Sequence, residues 1–63
     1  MDGVISIRFK NGNKELIKNI TSLNVFETKI FGYNGSHLCY MINTIGEPIR
    51  QYRVEDVETL MIW

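Results

Sequence analysis

Apolar and polar residues alternate through "VISIRF" at residues 4–9, and period-two stretches recur along the chain. A period of two puts successive side chains on opposite faces of a strand. No window carries its apolar residues at the 3.6-residue spacing of a helix. "IRQYR" at 49–53 and "TLMIW" at 59–63 read as further strands, and "VEDV" at 54–57 reads as a single helical or 3-10 turn between them. Pro48 lacks an N–H, so it belongs at a strand start or a sheet edge.

Two Asn-Gly pairs punctuate the pattern. Asn-Gly tolerates the positive φ angles of a type I′ turn, so each pair predicts a two-residue hairpin loop. With Asn11-Gly12 at the first turn, Ile7 faces Leu16 and Arg8 faces Glu15. With Asn34-Gly35 at the second, Phe31 faces Leu38, Ile30 faces Cys39 and Glu27 faces Ile42. These registers assign Ile5, Ile7, Phe9, Leu16, Phe26, Ile30 and Met41 to an inner layer. They gather Val25, Phe31, Leu38, Tyr40 and Ile42 on the opposite face of the second hairpin. A hairpin with one face in water should not be apolar on both.

Composition supports the strand reading. Alanine is absent and isoleucine occurs nine times, a bias toward β-branched residues that favours strands. The predicted fold is a single all-β domain over residues 1–63, a five- or six-stranded antiparallel meander with one short helical turn near 54–57. A meander closing with strand, tight turn and strand resembles a small SH3-like barrel. That likeness is one of architecture, which does not carry function.

Size and charge narrow the role. A 63-residue chain is near the lower limit for a self-sufficient core, and its single cysteine closes no internal disulfide. The free thiol fits a reducing compartment. The start "MDGVISIRFKNG" lacks the basic and apolar regions of a signal peptide, and no apolar run approaches a membrane span. The expected location is cytoplasmic, which leaves the glycosylation-like "NIT" and "NGS" as chance matches. Seven basic and seven acidic residues cancel, so bulk charge steers neither nucleic acid nor membrane. The wealth of Ile, Asn and Lys suggests an AT-rich genome, such as that of a low-GC bacterium or its phage.

Chemistry-bearing residues are few. His37 and Cys39 share a strand face about 6.6–6.8 Å apart along it, too far for a thiolate–imidazole pair. They supply half of a four-ligand zinc site at most. They read as a packed Cys39 below an exposed His37 lying opposite Gly32. Glu55, Asp56 and Glu58 lack the glycine and alternating oxygens of a calcium loop and read as an acid-rich turn. Neither glycine pair opens a phosphate loop, and no Ser/His/carboxylate set can be assembled. No catalytic residue, metal or cofactor is expected.

What is left is binding. Small size, no covalent reinforcement and a two-faced apolar hairpin predict a non-enzymatic protein-interaction module, self-associating or partnered. Its surface would be Val25, Phe31, Leu38, Tyr40 and Ile42. The alternative is a small barrel binding single-stranded nucleic acid through Arg50, Tyr52 and Arg53, with Tyr52 stacking between two cations.

Overall fold

The computed structural model describes residues 3–63; the acidic start at Asp2 lies outside them. The described chain is all-β: β1 (Gly3–Phe9), β2 (Lys14–Lys29), β3 (Ser36–Thr44), β4 (Arg50–Arg53), a 3-10 turn (Val54–Asp56) and β5 (Val57–Ile62). The five strands form one antiparallel sheet in the order β4-β3-β2-β1-β5. The first four run as a meander. The 3-10 turn then carries the chain across to pair β5 with β1, leaving β4 and β5 as the two edges of a sheet that does not close.

Both hairpin registers differ from the sequence expectation, and loop geometry explains each. In the first, the Gly12 N–H donates to the Phe9 carbonyl (3.0 Å) and the Phe9 N–H to the Asn13 carbonyl (2.8 Å), with Gly12 at φ 93°. This is a three-residue loop ending in a left-handed glycine, which shifts the pairing by one position. Ile7 therefore faces Glu15, Ser6 faces Leu16 and Arg8 faces Lys14. The predicted opposite-charge pair is replaced by a like-charge one, an arrangement that disfavours the sheet.

In the second hairpin the strands stop early, at Lys29 and Ser36, and the chain between them forms a longer loop. The Tyr33 N–H donates to the Ile30 carbonyl (3.1 Å), and Gly32 and Gly35 are both left-handed. Cys39 accordingly faces Phe26 rather than Ile30, Leu38 faces Glu27 rather than Phe31, and Ile42 faces Leu23 rather than Glu27. His37 faces Thr28, not Gly32.

β2 is 16 residues long and serves two neighbours. Its first half pairs with β1 as far as Ile20, and the remainder pairs with β3. Between them Asn19 adopts φ 59°, a left-handed conformation that Asn tolerates better than most residues. Its carbonyl accepts the Ile45 N–H at 3.1 Å, which ties the β3–β4 connection to the bend.

The bend lets one face of the sheet wrap a small core. Ile5, Ile7, Ile17, Ile20 and Ile42 are buried together, with Phe9, Leu23, Tyr52, Val57 and Leu60 packed around them. Four residues assigned to the inner layer are not in it: Leu16 is 61% exposed, Phe26 is 50% exposed, and Ile30 and Met41 are half-buried outside the core cluster. The register of the first hairpin turns Leu16 outward, and in the second hairpin the core lies on the Ile42 side, away from Phe26 and Met41. No described helix is long and apolar enough to cross a membrane.

Candidate interaction surface

The outer part of the β2–β3 hairpin is the least supported piece of the sheet. β1 reaches only to Ile20 along β2, and β4 pairs only with Cys39–Ile42 of β3. Beyond those points the hairpin is a two-stranded ribbon, which is marginal in water on its own. Apolar side chains in this ribbon and in the three-stranded stretch next to it are nevertheless exposed on both faces. Val25 and Leu38 are about half exposed on the face that continues the core, and Phe26 is half exposed on the other. Phe31, at the loop, is fully solvated.

The five residues expected to form one interaction surface divide accordingly. Val25, Phe31 and Leu38 are exposed and Tyr40 is half-buried. Ile42 is fully buried in the core, so it cannot contact a partner. The reason is the curvature: the same face that is open at Leu38 is closed by Ile5, Ile7 and Leu60 at Ile42. Sequence reasoning missed Phe26 as a surface residue because it set the core on the Phe26 side of the second hairpin, whereas the core lies on the Ile42 side.

The residues of the nucleic-acid alternative are engaged with carboxylates. Alternation turns Arg50 and Tyr52 to the core face and Arg53 to the opposite one. Arg50 lies 3.3 Å from Glu47 and 3.9 Å from Glu15. Tyr52 donates its hydroxyl to the Glu15 carboxylate. Burial disfavours its phenolate, and together with this bond it raises the Tyr52 pKa above its ordinary value. Arg53 donates two hydrogen bonds of 2.9 Å to Asp56, pairs with Glu55 at 2.9 Å, and stacks 4.0 Å over the Tyr33 ring. Lys18 lines a groove with Arg50, but Glu47 lines it too.

His37 and Cys39 sit apart in role. Cys39 is completely buried, and its Sγ donates to the His37 carbonyl at 3.3 Å. The His37 ring is half-buried, not free: Nε2 lies 2.9 Å from the Asn34 carbonyl, Nδ1 lies 3.3 Å from Glu55, and Tyr33 meets it edge-on. The acid-rich turn is thus a clasp. Glu55 and Asp56 hold Arg53 of β4, and Glu55 also meets His37 at the start of β3, while the Asp56 carbonyl accepts the Lys10 N–H (2.9 Å) from the first loop. Beside it lies a cleft of about 460 Å³, walled by Phe9, Tyr33, Tyr52 and Arg53.

Set against protein-family models, curated proteins and solved structures, the chain finds no match in any of the three.

Proposed function

We propose that this protein is a non-enzymatic interaction module that self-associates through the β2–β3 hairpin. The observation that carries the reading is the outer part of that hairpin, with Val25 and Phe26 on the stretch of β2 that lacks β1, Leu38 in the two-stranded end and Phe31 at the loop, all exposed. Apolar groups gathered there lose contact with water when a second copy covers them, at about 25 cal/mol per Å². The free edge of β2 beyond Ile20 supplies main-chain donors and acceptors for strand addition. An antiparallel β2–β2 contact centred on Thr28 sets Glu27 against Lys29 of the other copy, and two-fold symmetry makes that ion pair twice. Neither residue forms an ion pair within the chain among the described residues.

The strand order, the bent β2 and the 3-10 turn before the last strand support reading the sheet as an opened SH3-like barrel. The buried free thiol supports work in a reducing compartment such as the cytoplasm. The test of function is Leu38→Glu, examined by light scattering on a sizing column and by circular dichroism. A charge at this half-exposed site should yield a smaller species with its β spectrum intact. A variant that keeps the wild-type mass overturns the proposed contact.

A further inference from the structure

The one-residue register shift of the first hairpin has a consequence on the sheet face away from the core. Arg8 lies directly opposite Lys14 on β2 and Thr59 on β5. In the adjoining outward row, Ser6 lies between Leu16 and Met61. Arg8, Lys14 and Thr59 are exposed, Leu16 is 61% exposed and Met61 is 48% exposed. A shallow groove of about 360 Å³ runs between the rows. None of these six outward positions is a carboxylate, and neither Arg8 nor Lys14 forms an ion pair among the described residues.

The chain's neutrality hides this separation. Glu47, Glu55 and Asp56 lie within ion-pair distance of Arg50, Arg53 or His37, and Glu15, opposite Ile7 on the core face, lies within ion-pair distance of Arg50. Two like charges held face to face without a counter-charge weaken a hairpin. They become favourable when an anionic group sits between them, because each N–H then donates to an ionised acceptor.

We propose that this face of β2, β1 and β5 docks an acidic segment of another protein, with carboxylates on Arg8 and Lys14 and apolar side chains on Leu16 and Met61. Charge decides the occupant. A second copy meeting this face with the same face would oppose like charges. A nucleic acid strand needs rings to stack on, and none of the six positions is aromatic. The row of exposed apolar groups beside the row of cations matches a strand alternating acidic and aliphatic residues.

The test uses a fluorescein-labelled peptide of alternating Glu and Leu, with a Ser/Leu peptide, an oligo-dT strand and phosphatidylserine vesicles as comparisons. The Glu/Leu peptide should bind saturably, at least tenfold more tightly than the other three, and weaken with added salt. The double variant Arg8→Gln/Lys14→Gln should lose at least tenfold in peptide affinity. Its thermal midpoint should not fall, because a like-charge pair has been removed. Leu16→Ser, at an exposed site, should weaken the peptide at least threefold. Absence of saturable binding, tighter binding of oligo-dT or vesicles, or unchanged affinity in the double variant would each overturn the proposal.

Discussion

Ile42 separates a core position from an interface position sharply, since it shares one side of β3 with the exposed Leu38. Its side chain is fully buried and packs with Ile5, Ile7, Ile17 and Ile20. Truncating a closed core isoleucine to alanine loses transfer energy and leaves a cavity, about 2–5 kcal/mol in total, whereas Ile→Val costs about 0.5–1.5 kcal/mol. Domains of this size start from about 5 kcal/mol. Ile42→Ala should therefore retain roughly 0–3 kcal/mol and Ile42→Val roughly 4 kcal/mol. The valine variant should melt about 4–8 °C lower, since each kcal/mol shifts a small domain by that amount. The assay is urea unfolding followed by circular dichroism at dilute protein, with Val25→Ala as reference. Val25 lies on the same face but is 49% exposed, so at dilution its truncation should cost about 0.5 kcal/mol or less. An Ile42→Ala cost under about 1 kcal/mol, or one no larger than that of Val25→Ala, would refute the placement of Ile42 in the core.

Three further outcomes follow from single sites. Cys39 is completely buried, so its thiol should ignore an aromatic disulfide reagent in native protein and react at once in urea; prompt native reaction would contradict that burial. The raised Tyr52 pKa, caused first by burial and then by its bond to Glu15, means the folded state holds this proton more tightly than the unfolded chain does. That stabilisation is complete below about pH 10 and is lost as pH climbs through the folded value. Tyr52→Phe should weaken this alkaline loss in pH-dependent melts and cost about 1.5–3 kcal/mol at neutral pH, the worth of a bond to a charged group. Asn19 at φ 59° should accept glycine with little change, while Asn19→Ile should cost about 1–2 kcal/mol in urea unfolding. Equal effects of the two would argue against the left-handed bend.

The sequence carried the strand content, the 3-10 turn before the last strand and the positions of both hairpin turns. Alternation and the Asn-Gly pairs encode these locally. Register is less local. Asn-Gly suits a two-residue loop, but Gly12 instead closes a three-residue one, and that single position reverses which side of β2 faces inward at Leu16 and Ile17. In the second hairpin the displacement was even in its effect on faces, so Val25, Leu38 and Tyr40 still share a side with Ile42. The bend at Asn19 was not legible. Asn tolerates the left-handed region, but nothing in "KNIT" requires it there. The carboxylate partners of Arg50 and Arg53 were likewise beyond local pattern, since Glu15 reaches Arg50 only through the fold.

If two copies cover the exposed end of the β2–β3 hairpin, sedimentation equilibrium of the wild-type chain, from micromolar to tens of micromolar, should show a mass rising to at least twice that of one chain, and Leu38→Glu should return it to monomer. A well-folded wild-type monomer at the highest concentration would contradict it.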